Sequence, residues 1–179
     1  MPHMIVRHLL LKENYTSITI RILPEITCNL HTMNLKKYIF LADDDADDCV
    51  LFEDALREVC SETMLTTASD GIELMDYLDE NVPPSPDVIF LDLNMPRKNG
   101  FECLAELKAV HKLKNIPIII FSTSSDKEYV DKVYSQGADF YLRKPESFPM
   151  LKSAIARVLS INWQSHSAQP SRENFMLTF

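Results

Sequence analysis

Five short apolar runs, each too brief for a helix, recur along residues 38–143 with amphipathic stretches between them. They are Tyr38–Ala42, Met64–Ala68, Val88–Leu91, Ile116–Phe121 and Asp139–Arg143. Strands that are apolar almost throughout must be buried on both faces, as in a parallel sheet with helices on each side. The intervening stretches are Ala46–Cys60, Gly71–Glu80, Phe101–Leu113 and Asp126–Gln136, with a last one at Phe148–Ser160. In the first of them Val50, Leu51, Ala55, Leu56 and Val59 are expected to form the apolar stripe against the sheet. The pattern predicts an α/β fold: a doubly wound (βα)5 unit with a five-stranded parallel sheet.

The punctuation agrees. Asn81–Pro86 carries three prolines and breaks the second helix before the third strand, Asn99-Gly100 turns into the third helix, and Gly137 stands where a helix C-terminal cap belongs. Residues 1–35 form an N-terminal extension, 36–161 the folded domain and 162–179 a tail. Within the extension Ile18–Leu23 alternates like a strand and receives no function. Met33 makes a natural domain start, so translation is expected to begin there; residues 1–32 in a mass spectrum of the native protein would refute this. In the tail, Trp163 is expected to pack against the last helix, and the apolar end Asn174–Phe179 to dock on its own domain rather than on a second copy or a partner.

Composition removes several classes of function. The chain carries 18 basic and 26 acidic residues, net −8. Residues 1–38 hold five basic and two acidic side chains, so the acidity belongs to the main body, and a broad cationic nucleic-acid surface is excluded. No apolar run approaches the roughly 18 residues of a membrane span, and the N-terminus lacks a signal-peptide pattern. Cys28, Cys49, Cys60 and Cys103 form no CxxC pair and read as reduced thiols of a cytoplasmic protein.

In an open parallel sheet, ligands bind beyond the carboxyl ends of the strands. Those ends carry Asp43-Asp44-Asp45, Asp92, Ser122-Thr123 and Lys144-Pro145. If strands one, three, four and five are neighbours, the side chains converge in one shallow pocket. Clustered carboxylates raise one another's proton affinity unless a cation offsets them, and an all-oxygen donor set favours Mg²⁺ over zinc. A lysine and a hydroxyl beside that ion suit the equatorial oxygens of a phosphoryl group, and an aspartate can accept that group as an acyl phosphate. Each feature taken alone has an ordinary reading: an acidic helix start favoured by the dipole, a turn-capping Asp92, a strand-end Ser122, a half-buried Tyr141. Asp43, Asp45, Asp47 and Asp54 also fall at calcium-loop offsets, but Asp48 occupies the glycine position, against an EF-hand. The joint placement at four strand ends carries the functional reading.

Leu91–Gly100, the acidic cluster upstream and Tyr141–Pro145 downstream together resemble the receiver domain of two-component response regulators, of the single-domain, chemotaxis-regulator type. The resemblance covers roughly Leu35 to Ser160 and implies a flavodoxin-like sheet of order 2-1-3-4-5. It implies Asp92 as phosphoacceptor. Asp43, Asp44, Asp92 and the backbone carbonyl of Asn94 would hold Mg²⁺, and Lys144 would bond the phosphoryl oxygens. Ser122 would be the hydroxyl switch residue, Tyr141 the aromatic whose inward rotation accompanies it, and Pro145 would follow a cis peptide. Thr123 stands where the family often has a smaller residue and narrows access to the phosphoryl site.

The implied partners are a histidine kinase or histidine phosphotransfer protein as donor, and a downstream protein meeting the surface of the fourth helix, fifth strand and fifth helix. A homodimer is a further candidate; nucleic acid and membrane are not expected. A phosphorylation-independent interaction module is the alternative function. A haloacid-dehalogenase-type phosphatase, an enzyme reading, needs a second acid two residues after the nucleophile, where this chain has Asn94. Lys144→Ala is expected to fold normally while weakening the link between phosphorylation and partner binding.

Overall fold

The computed structural model describes residues 37–80, 85–163 and 169–178. The Ile18–Leu23 alternation, Met33 and Cys28 lie outside these residues. Strands β1 (Tyr38–Ala42), β2 (Met64–Ala68), β3 (Val88–Leu91), β4 (Ile118–Ser122) and β5 (Phe140–Arg143) alternate with helices α1 (Ala46–Val59), α2 (Gly71–Glu80), α3 (Gly100–Ala109), α4 (Lys127–Ser135) and α5 (Phe148–Ser160). All pairings are parallel and the order is β2-β1-β3-β4-β5. The predicted architecture and strand order are those found. Among the described residues no helix is long and apolar enough to cross a membrane.

Alternation along the strands divides the interior into two cores. Phe40, Ile89, Leu91, Ile118, Ile120 and Tyr141 face the side closed by α2, α3 and α4. Ile39, Leu41, Phe90, Ile119, Phe121 and Leu142 face α1 and α5, where the rings of Phe52, Phe90 and Phe121 meet edge to face. Full burial of each such side chain stabilises the fold by about 1.5–3 kcal/mol.

The structure corrects four sequence expectations. Val50 and Leu51 are 58% and 48% exposed, so they do not belong to the α1 stripe. The buried face is instead Phe52, Ala55 and Leu56, extended by half-buried Cys49 and Val59, a truer three-and-four spacing. β4 begins at Ile118 rather than Ile116, because Pro117 has no N–H for the ladder; its carbonyl still accepts from Ile89 N at 2.9 Å. α3 ends at Ala109 instead of continuing to Leu113. Asp139, expected at the head of β5, uses its carboxylate to accept from Ile118 N (2.8 Å) and Lys108 Nζ (2.9 Å).

Other expectations hold. Gly137 takes φ 90 after α4, a conformation that only glycine adopts freely. Trp163, expected against the last helix, sets its ring against Phe140 of β5 (centroids 6.0 Å apart) at the margin of the core that α5 closes. The apolar tail folds back on its own domain. Met176 bridges Tyr141 in parallel register, with Tyr141 N donating to Phe175 O (2.9 Å) and Leu177 N to Tyr141 O (2.8 Å). Phe175 is fully buried.

Candidate functional site

The sheet ladder runs one residue past its strands and fixes the functional backbone. Asp43 N donates to Ala68 O, Asp92 N to Ala42 O and Lys144 N to Ser122 O, each at 2.9 Å. After Asp92 the chain doubles back through residues 93–99 before entering α3. Gly100 N donates to Leu93 O (3.1 Å), and a Cβ at Gly100 would lie 2.1 Å from Asp92 O, so glycine is needed for this close approach. Asn99 and Glu102 close a reciprocal capping box on the helix.

The same loop is braced from the side. Arg97, at φ 59, ion-pairs with Asp70, whose carboxylate is buried and caps α2 through Ile72 N (2.8 Å) and Glu73 N (3.0 Å). The left-handed backbone at Arg97 is a strained conformation held by that pair and by the turn. Neither residue was legible as part of the site, since the contact depends on how two loops fold over one strand end.

Asp43, Asp44 and Asp92 each offer an oxygen within 4.8 Å of the others. Asp43 and Asp92 are almost fully buried, while Asp44 opens to solvent. Burial pushes the Asp43 carboxyl up to about 6, against the pull of Lys144 and the Asp45 N–H. Burial also raises Asp92, opposed by Lys144 and by the Leu93 and Asn94 amides. Lys144 Nζ contacts Asp43 Oδ2 at 2.7 Å and Asp48 Oδ2 at 2.8 Å. Burial alone would lower the Lys144 pKa, but these two carboxylates outweigh it and hold the ammonium charged. One ammonium thus faces a cluster of carboxylates that cannot all ionise comfortably without more positive charge.

The remaining sequence-predicted residues surround this cluster. Asn94, exposed, donates its backbone N–H to Asp92 Oδ2 at 3.3 Å. Ser122 is buried at the end of β4, and its Oγ accepts from Ser124 N at 3.4 Å. Thr123 is exposed at the rim, and Pro145 follows Lys144 on the same rim. Tyr141 is fully buried; its hydroxyl donates to Ser124 O at 2.7 Å. The ring is therefore already inward in this structure. Asp48 is a further participant that sequence reasoning missed, beside Arg97 and Asp70. A first-turn acid on α1 is an ordinary solvated residue until the start of α1 and the end of β5 are known to approach across 96 positions of sequence.

The residues present fit a divalent cation: three oxygen donors converge, two of them buried with raised proton affinity, and no nitrogen or sulfur ligand competes within the cluster. The fold, the strand-end carboxylates and the facing lysine define a phosphoryl-accepting signalling domain. The response regulator receiver domain model matches residues 39–156, and the chain belongs to that family. Over 131 residues it is 34% identical to response regulator Rcp1 of Synechocystis sp., covering 71% of this chain and 89% of that protein. It is 29% identical over 124 residues to chemotaxis protein CheY1 of Helicobacter pylori, covering 69% and 98%.

Among solved structures, the phosphorylated cyanobacterial phytochrome response regulator RcpA matches with TM-score 0.66 at 34% identity, over 76% of this chain and 100% of that one. The Mn²⁺-bound form of response regulator Rcp1 matches with TM-score 0.64 at 31% identity, over 75% and 99%. Domains of this family act in two-component signalling with histidine kinases and downstream effectors, and an acidic cluster like this one fits the Mg²⁺ or Mn²⁺ such domains bind.

Proposed function

We propose that Asp92 accepts a phosphoryl group from the phosphohistidine of a kinase or phosphotransfer protein, and that the acyl phosphate switches protein–protein binding. The observation that carries this reading is the convergence of Asp43, Asp44 and Asp92 within 4.8 Å, with Lys144 bonded into the same cluster. A carboxylate oxygen of Asp92 attacks phosphorus, the phosphorus–nitrogen bond of the donor breaks, and the imidazole leaves with the electron pair and takes up a proton. Asp43, Asp44, Asp92 and the Asn94 carbonyl would hold Mg²⁺, which supplies charge neutralisation for the incoming group. Lys144 then exchanges a carboxylate partner for a phosphoryl oxygen, and the Ser122 hydroxyl donates to another.

The chain is not an enzyme acting on an external substrate; its chemistry is confined to its own phosphorylation and dephosphorylation, in the cytoplasm. Its likeness to a cyanobacterial phytochrome response regulator makes a phytochrome-type histidine kinase the first donor to test.

The test is incubation with Mg²⁺ and acetyl phosphate followed by intact mass. The expected result is a labile gain of one phosphoryl group that is lost in Asp92→Asn. Turnover of assorted phosphate esters would instead support a phosphatase. An unmodified chain that still binds its partner would support an interaction module independent of phosphorylation.

A further inference from the structure

The outer edge of β5 is closed by the chain's own tail. A sheet edge with open backbone groups is a template for pairing with another strand, and here Tyr141 offers both its N–H and its carbonyl to residues 175–177. The seat is specific. The Phe175 ring is fully buried edge-on against Tyr134 (5.0 Å) and Tyr141 (6.3 Å). Three residues earlier, Arg172 pairs with Asp131 on α4 at 2.6 Å. Gln169 donates to the carbonyls of Tyr134 and Ala138, both at 2.8 Å, and the Tyr134 hydroxyl donates to Pro170 O at 3.1 Å.

These contacts have the form of strand addition: main-chain bonds supply adhesion, and one aromatic pocket with one acidic anchor supplies selectivity. The β-bridge is a single residue pair and the ion pair is about half exposed, so the contact is suited to exchange rather than to permanent closure.

We propose that this edge is a peptide-accepting site, that residues 169–178 are its resident occupant, and that an output partner enters by replacing them with an extended basic-x-x-aromatic-x-aliphatic segment. The partner segment would repeat the chemistry of Arg172, Phe175 and Leu177, its basic residue meeting Asp131 on a domain body that is acidic overall. The ring the tail covers is also the ring bonded to the loop after Ser122, through the Tyr141 hydroxyl and Ser124 O. A pull on Ser122 from Asp92 therefore reaches the floor of the peptide site. This control by phosphorylation rests on the function proposed above; the exchange itself does not.

The test uses the full-length chain, its Phe175→Ala and Leu177→Pro variants, and a fluorescent peptide of residues 169–178. Leu177→Pro removes the N–H that bonds Tyr141 O while keeping the buried Phe175 ring, so it guards against a Phe175→Ala chain that fails to fold. In both variants the Tyr141 amide is expected to exchange at least about tenfold faster with deuterium, and the peptide to bind at least about tenfold tighter than to the unaltered chain. A peptide with alanine in place of its phenylalanine is expected not to bind. Three results would overturn the proposal: equal binding to all three chains, no binding to a variant whose Tyr141 amide has opened, or a doubled mass showing that tails are swapped between two copies. Asp92→Asn should leave exchange intact, so failure of the phosphoryl reading appears as lost modification rather than lost peptide binding. If phosphorylation of the unaltered chain leaves peptide affinity unchanged, control from Asp92 is refuted while the site stands.

Discussion

β5 serves two regions of opposite electrostatic character. At its carboxyl end Lys144 enters a rim where buried Asp43 and Asp92 outnumber the positive charge. Along its outer edge Tyr141 is met by Phe175 and by main-chain groups that leave little unsatisfied. Burial raises the proton affinity of both carboxylates at the rim, which a proton or a cation would relieve, whereas the edge is met by the same chain. Imbalance marks the region that does chemistry, and self-satisfaction marks the region that is held in reserve.

The largest effect expected from breaking this contrast comes from Lys144→Ala. Sequence reasoning alone anticipates a neutral effect on folding. The structure argues otherwise, because the Asp43 side chain has no solvent exposure and Lys144 is its ion-pair partner. Removing one member of a buried pair costs about 3–5 kcal/mol. The loss should be large at pH 7 and shrink toward pH 5, where Asp43 takes up a proton; urea melts at the two pH values measure both. A loss that does not vary with pH would mean that Asp43 is not the group left unpaired.

Next in size is Gly100→Ala. Its methyl would press on the Asp92 carbonyl at 2.1 Å and on Leu93 Cα at 2.8 Å, backbone that the ladder to β1 holds in place. Overpacking of this kind costs about 1–3 kcal/mol, and acetyl-phosphate labelling of Asp92 should slow in a chain that still folds. Alanine at Gly137 would meet side-chain atoms of Lys108 no nearer than 3.8 Å and suffer only from its positive φ, so labelling there should be unchanged.

The third prediction concerns pH. The folded Asp43 carboxyl lies near 6, above the usual carboxylate value, so the native state binds the proton more tightly than the unfolded chain does. Stability from this group is therefore present below about pH 4 and is lost as pH rises through about 6 in metal-free protein. Protons and a divalent ion compete for the same oxygens. Mg²⁺ affinity should accordingly fall about tenfold between pH 7 and pH 5, as read by titration calorimetry. A flat profile would remove Asp43 from the ligand set.

The rim was far more legible in the sequence than the edge. Strand-end residues are fixed once strands and their order are known, so Asp43, Asp44, Asp92, Ser122 and Lys144 fall where the short apolar runs stop. Asp48 and Arg97 were not legible, because each acts through a contact between segments that are distant in sequence. The α1 stripe was misread for a related reason: Val50 and Leu51 are as apolar as Phe52, and only the position of the sheet decides which face is buried. The tail was expected to return to its own domain, but nothing in Asn174–Leu177 alone specifies β5 as its seat; that follows from an unpaired edge and from the Tyr134 and Tyr141 rings beside it.

The smallest effect sharpens the contrast from the other side. Arg172→Ala removes the pair with Asp131 and the guanidinium that lies near the Tyr134 and Phe175 rings, at 5.8 and 5.9 Å. Both members of the pair are about two-fifths exposed or more, so the pair itself is worth about 0.2–1 kcal/mol, less in high salt. Global melting should hardly change, whereas exchange of the Leu177 amide, which reports only local opening of the tail, should quicken by about threefold. The same substitution should leave Asp92 labelling as it was, because no part of the rim touches Arg172. If Arg172→Ala lowered the global midpoint as much as Gly100→Ala does, the tail would be an integral layer of the domain, and the distinction between an unbalanced rim and a self-closed, exchangeable edge would fail.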